Sequence, residues 1–395
     1  MEQVYKEKKN CCGCSACSSV CPKSAIEMTQ DEYGFLYPWI DQKKCIDCGL
    51  CQRICGFHGK EEVASANPIV YAAVNKNDSK RMNSSSGGMF IEFAQVIIAK
   101  GGCVYGAEFD GEFNVIHEKE TEVQGCMALQ GSKYVQSDIN DCYKRIQKDL
   151  HENKIVLFVG VPCQVGGLKS FLQRDYENLY LIDLACHGVA SPKVWSSYKK
   201  KLSEGRQIRQ VSFRDKSNGW KKYSLRVDFE SGSYIANQDI EPYLTLFLDK
   251  LIVRESCFHC PYNSYLRQGD ITLGDFWGIE VCKPYMDDNK GTSVILINTE
   301  KGKKLFDLIK ENIIYESSNT KECLQGPFES CMTPNPKAKK FWEEFNKNEY
   351  KAIEKYGKIS IKRIVIVRCI IPILRKIGLY KFVINLVGKR GKNEV

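Results

Sequence analysis

Two cysteine runs near the start of the chain limit its fold more than any other feature. Cys11, Cys14, Cys17 and Cys21 follow the spacing C-x2-C-x2-C-x3-C, with Pro22 next. Cys45, Cys48, Cys51 and Cys55 repeat it, with Gly56 in place of the proline. Three thiolates two residues apart can wrap one iron–sulfur cubane, and the longer step sends the fourth to a neighbouring cubane. The spacing assigns Cys11, Cys14, Cys17 and Cys55 to one 4Fe–4S cluster. Cys21, Cys45, Cys48 and Cys51 go to a second. Zinc is the alternative for paired cysteines, but a zinc ribbon needs two CxxC knuckles and four ligands, not two three-step runs. Cys12 falls outside the pattern and reads as a bystander.

Composition narrows the setting. The chain has 395 residues, 43% hydrophobic and 11% aromatic, which excludes a mainly disordered protein. Met1–Asn10 is polar, so no signal peptide is expected. No 18-residue uncharged apolar run occurs, so no spanning helix is expected. Twenty cysteines in such a chain point to metal or redox chemistry in the cytoplasm rather than to disulfides. The net charge of +9 hints at nucleic acid only until it is located. Met1–Tyr350 carries 45 basic and 46 acidic residues, whereas Lys351–Val395 carries 12 and 2. A neutral body has no field to collect polyanions, so nucleic acid is not an expected partner. The basic, isoleucine-rich tail, broken by Pro372 and Gly378, fits docking on a partner or peripheral association with the inner membrane surface. An ordinary terminal helix pair is the plain alternative.

These shifts divide the chain into a cysteine-dense segment (1–64), a body (65–346, in parts 65–150 and 151–346) and the tail (347–395). The expected fold is α+β to α/β: a two-cluster ferredoxin-type domain, a mixed α/β body and a helical basic tail. In the body, strands are expected at Tyr71–Asn75, Gly102–Glu108, Ile155–Gly160 and Leu179–Leu184. Helices are expected at Phe90–Ala99, Tyr143–Leu150, Gln164–Leu172 and from Pro192. This alternation predicts a mainly parallel sheet. Val211–Arg214 and Tyr223–Phe229 read as antiparallel strands, with a turn at Ser231-Gly232.

Two further features bear on cofactors. Ser84-Ser85-Ser86-Gly87-Gly88 precedes a helix, where free N–H groups and the dipole can hold an anion, though such a segment is more often only a cap. No GxGxxG or GxxxxGK[ST] motif occurs, which argues against an ordinary Rossmann fingerprint and a P-loop NTPase. Cys163 and Cys186 each follow a strand, and Cys257 and Cys260 form a CxxC. Ends of parallel strands share one edge, where ligands gather. These four cysteines can complete a third cluster, or be buried small residues, a catalytic thiol or a disulfide. Cys103, Cys126, Cys142, Cys282, Cys323, Cys331 and Cys369 read as bystanders.

Taken in order, these motifs resemble the beta subunit family of coenzyme F420 hydrogenases and dehydrogenases. The carrying pieces are the cysteine runs, SSSGGMF (Ser84–Phe90), GSKYVQS (Gly131–Ser137) and FVGVPCQVGGLKSFL (Phe158–Leu172). CHG (Cys186–Gly188), FRDKSNGW (Phe213–Trp220), CFHCPY (Cys257–Tyr262) and DITLGDFWG (Asp270–Gly278) complete them. The ordering looks like that of bacterial members found near surface-polysaccharide genes. The resemblance implies an iron–sulfur flavoprotein oxidoreductase that passes electrons between clusters and a two-electron substrate. It implies FAD near Ser85, Ser86, Gly87 and Gly88 and near Ser132, Lys133 and Tyr134. It also implies a third 4Fe–4S cluster on Cys163, Cys186, Cys257 and Cys260. A ferredoxin or flavodoxin would be the electron partner, and an organic molecule would take hydride, with His187 and Asp275 as acid candidates. The rival expectation is a non-catalytic electron-transfer subunit docked on a separate enzyme. Nothing in the residues requires coenzyme F420 itself.

Overall fold

The computed structural model describes residues 3–57, 68–323, 326–329, 331–358 and 373. The cysteine-dense segment is a repeat in backbone as well as in sequence. Gly13 and Asp47, one residue before the second cysteine of each run, are left-handed, with φ 70° and 52°. Ser15 and Gly49, one residue after it, are left-handed too, with φ 64° and 70°. Each pair of reversals curls the chain round its thiols and then releases it into a short helix, Ala16–Val20 and Leu50–Arg53. Between the helices lie β1 (Ile26–Gln30) and β2 (Leu36–Ile40), an antiparallel pair in register Ile26↔Ile40.

The body is built on an eight-stranded sheet. Its strands are β3 (Ile69–Asn75), β4 (Cys103–Phe109), β5 (Val115–Glu120), β6 (Val156–Gly160) and β7 (Leu179–Leu184). A separate three-stranded sheet follows, made of β8 (Ile208–Asp215), β9 (Ser224–Phe229) and β10 (Ser233–Asn237). The chain then returns to the large sheet as β11 (Ile271–Asp275), β12 (Ser293–Ile297) and β13 (Ile313–Ser318). The order is β13-β3-β12-β11-β7-β6-β4-β5.

Only the centre of this sheet is parallel: β11 with β7, β7 with β6, and β6 with β4. The other neighbours run antiparallel, so the sheet is mixed rather than mainly parallel. Local alternation reveals each crossover helix but not where later strands are inserted. The Ser231-Gly232 turn joins β9 to β10, a third strand that the sequence reading left out.

Both faces of the central strands are apolar, as parallel strands covered on two sides require. Val156 and Phe158 of β6 face one core with Val165, Leu168 and Tyr143. Leu157 and Val159 face the other, with Phe93, Ile97 and Phe306. The cysteine-dense segment seats Ala16 and Ile54 in the first core, against the helices Cys142–His151 and Pro162–Leu172. The helices Ala338–Phe345 and Glu349–Tyr356 pack with the three-stranded sheet through Phe341, Phe345, Ala352 and Ile353. Among the described residues no helix is long and apolar enough to cross a membrane. Most of the basic tail, from residue 359, and Cys369 lie outside the described residues.

Candidate functional site

The ladder register places the chemistry on one edge. Cys163 sits in the first turn of Pro162–Leu172, directly after β6, and Cys186 follows β7. Asp275 ends β11, which runs parallel to β7, so all three lie at carboxyl ends of adjacent strands. Cys257 and Cys260 come from the short turn Glu255–His259 and the residue after it. Cys163, Cys186, Cys257 and Cys260 line one cavity. Cys12 lines it too, although the spacing left it a bystander. Its thiol lies within electrostatic reach of those of Cys14 and Cys163. Cys331, another expected bystander, is exposed and donates to the carbonyl of Cys260 at 3.4 Å.

The second set is also gathered around one opening. Cys21, Cys45, Cys48 and Cys51 line a second cavity, walled by Ala25, Ile26, Ile40 and Leu50. Cys17 lies within electrostatic reach of Cys14, Cys11, Cys55 and also Cys51 of the neighbouring set. The described cysteines form no disulfide with one another. Among the described residues no three His, Cys, Asp or Glu side chains are grouped to hold a single metal ion. A lone tetrahedral ion needs its sulfurs at about 2.3 Å. A cubane holds four thiolates around a larger body, so four soft donors around an opening suit a cluster rather than an ion. Burial pushes the Cys257 and Cys260 thiols up to about 12, so loading the third set must release protons.

Packing between the sets is tight. A Cβ on Gly167, one turn beyond Cys163, would lie 2.9 Å from both Cβ and Sγ of Cys14. A Cβ on Gly166 would lie 2.9 Å from the ring of Tyr262, which lines the third cavity. Two adjacent glycines thus let one helix touch two thiol sets. The sequence carried this signal as an unexplained Gly-Gly inside a helical stretch.

The residues expected around a flavin cluster at the same end of the sheet. Ser132 donates through N and Oγ to Ser85 Oγ, at 2.6 and 2.9 Å. The Ser86 hydroxyl donates to the Thr292 carbonyl, and Gly87 N–H to Ser293 Oγ. A side chain on Gly87 would overlap the Ala73 carbonyl, which explains that glycine by packing. Gly88, with φ 85°, starts the helix Met89–Ala99. In that helix's first turn Glu92 is buried and bonded to Asn75, Lys80 and Asn312. A carboxylate already sits where an anion would use the dipole.

Lys133 donates to the carbonyls of Ala128, Gln130 and Gly131, and loss of water around it pushes its ammonium down to about 7. It is half-buried rather than an exposed charge. Tyr134 stacks on Phe247 and takes a hydrogen bond from Arg214. The side chains of this group are engaged inside the protein, so as they stand they do not fit the role of a flavin-phosphate cradle.

Asp275 is tied to Arg214 at 2.8 Å and accepts from Trp220 Nε1 at 3.0 Å. His187 is exposed, within electrostatic reach of Asp275 and Arg214. Sequence reasoning missed Arg214, Lys216, Arg254 and Arg267. Arg214 and Lys216 stand in the quoted FRDKSNGW segment, but a cation inside a motif does not announce that it is buried.

Comparison with known proteins follows this division. Residues 10–58 match the family described as the 4Fe–4S dicluster domain. Residues 153–322 match the C terminus of the coenzyme F420 hydrogenase/dehydrogenase beta subunit. An uncharacterized ferredoxin of Methanocaldococcus jannaschii is 34% identical over 53 residues, 13% of this chain and 68% of the relative. A chain of the F420-reducing [NiFe] hydrogenase complex from Methanosarcina barkeri, from a study of its xenon derivatization, is similar at 14% identity. Its TM-score is 0.46, over 75% of this chain and 92% of that one. Both relatives are archaeal, not bacterial as the motif order had suggested. Through residues 10–58 the chain belongs to the 4Fe–4S ferredoxins, and it joins that segment to a body whose residues 153–322 match the C-terminal domain of coenzyme F420 hydrogenase/dehydrogenase beta subunits.

Proposed function

We propose that this chain is an electron-transfer subunit that holds three 4Fe–4S clusters and docks on a separate enzyme. Cys11, Cys14, Cys17 and Cys55 would hold the first. Cys21, Cys45, Cys48 and Cys51 would hold the second, and Cys163, Cys186, Cys257 and Cys260 the third. When bound, such clusters supply one-electron transfer. The observation that carries the reading is the contact between sets. Cys51 lies within electrostatic reach of Cys17, and the Cys12 thiol within reach of both Cys14 and Cys163, beside which it lines the third cavity. The residues therefore form a line from the exposed Cys48 to the half-buried third set. Cys48 and Ile46 are exposed at the second set, where a ferredoxin or flavodoxin would meet the chain.

The second reading keeps the chemistry in this chain as a flavoprotein oxidoreductase acting on an organic substrate. The observation in its favour is convergence: Arg214 and Lys216 both donate to carbonyls of the Ser85–Ser86 turn, at 3.3 and 2.9 Å. It ranks second because those groups, like Lys133, already have partners. A link to surface-polysaccharide synthesis, a cytoplasmic setting and membrane attachment through the tail are parts of the proposal that rest on sequence alone.

Anaerobic reconstitution followed by iron, sulfide and flavin analysis tests the proposal. The expected result is about twelve irons per chain, no flavin, and no turnover of hydride donors by the chain alone with reduced viologen. About eight irons would remove the third cluster. One flavin per chain, with turnover by the isolated chain, would favour the second reading.

A further inference from the structure

Arg254 is fully buried, and no carboxylate among the described residues pairs with it. Its Nε donates to the Cys11 carbonyl at 3.0 Å, and its second terminal nitrogen lies 3.8 Å from Cys11 Sγ. The other terminal nitrogen reaches Gln136 Oε1 at 3.3 Å. Its guanidinium lies 4.0 Å from the ring centroid of Tyr37 and 5.6 Å from that of Phe35. A buried charge without an opposite charge is strongly unfavourable. The missing counter-charge has an obvious source in the thiolates of the first set, whose Cys11 the arginine touches twice.

The other sets differ. At the third cavity, Arg267 is equally buried but is bonded to Asp183 at 3.0 Å, which cancels its charge. At the second set, Arg53 binds the Cys48 carbonyl from an exposed position, where water screens it. Of these three arginines, only Arg254 places an unneutralised positive charge in a dry environment beside a thiol set.

We infer that Arg254 is the buried counter-charge of the first cluster and raises its reduction potential. A nearby positive charge favours the state holding one more electron, and local charge and hydrogen bonds to sulfur are known determinants of cluster potential. The first set would then draw electrons inward from the exposed second set. Arg254 also bridges toward the third set, since the Cys257 N–H donates to its carbonyl at 3.0 Å.

This inference rests on the proposed cluster at Cys11, and the experiment separates the two. Redox titration followed by electron paramagnetic resonance is run on the reconstituted full chain and three variants, with iron and sulfide counted in each. Arg254→Gln removes the charge. Gln136→Glu keeps the arginine and supplies the missing carboxylate, so it answers the question if the first variant fails to fold. Arg254→Lys keeps the charge. The expected result is a lower midpoint for one cluster signal in Arg254→Gln and Gln136→Glu, at unchanged iron content, and a smaller shift in Arg254→Lys. Full iron with unmoved midpoints in the charge-altering variants would overturn this inference alone. A wild-type chain that takes up no iron and sulfide would overturn the proposed function as well.

Discussion

Gly167 shows how much a single missing side chain can decide. The helix Pro162–Leu172 can lie against Cys14 only because position 167 carries no Cβ. Gly167→Ala would force either the helix or the first cysteine run to move. Overpacking of this kind costs about 1–3 kcal/mol. The expected outcome is a lower melting temperature together with loss of roughly four irons, while Gly111→Ala, in open space and without a positive φ, leaves both unchanged. His117 is the other residue with a clear consequence. It is buried, its Nε2–H donates to the Val159 carbonyl, and its Nδ1 accepts from Ser137 at 2.6 Å. Burial pushes it down to about 4 from an ordinary 6.5. Its folded value is therefore the lower one. The unfolded chain takes up the proton first, so the contribution is complete above pH 6.5 and is lost as pH falls toward 4. Unfolding free energies from urea titrations at pH 7 and pH 4.5 should differ more for the wild type than for His117→Gln, by up to about 3 kcal/mol.

At the scale of elements, the cysteine-dense segment is held by particular joints. Ser191 caps the helix Pro192–Ser203 by accepting from Val194 N–H at 3.2 Å, and its hydroxyl donates to the Tyr33 carbonyl at 2.5 Å. One hydroxyl serves both a helix end and the β1–β2 connection. Ser191→Ala should cost about 1 kcal/mol as a lost cap. It should also raise hydrogen exchange in the β1–β2 loop, which loss of a cap alone would leave unchanged. Legibility at this scale was uneven. The body helices and strands that were expected lie within about three residues of the observed ones, whereas β5, β11, β12 and β13 were not expected at all. Nor was β10, since Ser233–Asn237 has no buried residue and hence no pattern to read. The antiparallel placement of β12 was equally invisible, because its five residues are all buried and look the same in either direction.

At the scale of the whole molecule, charge and packing divide the chain at a different point from the one composition suggests. Glu349–Tyr356 belongs compositionally to the basic tail, yet Ala352 and Ile353 are buried with Phe341 against the helices Pro192–Ser203 and Pro242–Leu248. A chain ending after Lys358 should therefore keep its melting temperature. One ending after Tyr350 should lose several degrees, since removing a buried isoleucine side chain alone costs about 2–5 kcal/mol. If the tail binds anionic membranes, cosedimentation with anionic vesicles should fall already in the longer of the two chains.

The sequence by itself determined the two cysteine runs and the strand ends at Cys163 and Cys186. Those are local facts: spacing fixes which thiols can reach a common centre, and period fixes where a strand stops. Only the tertiary structure decided that Cys12 lies between the first set and the third, that Gly167 sets their separation, and that Arg254 is buried with no carboxylate partner among the described residues. These depend on which surfaces meet across more than a hundred residues of chain. No spacing rule encodes such meetings, because burial and charge pairing are properties of the packed neighbours rather than of the residue itself.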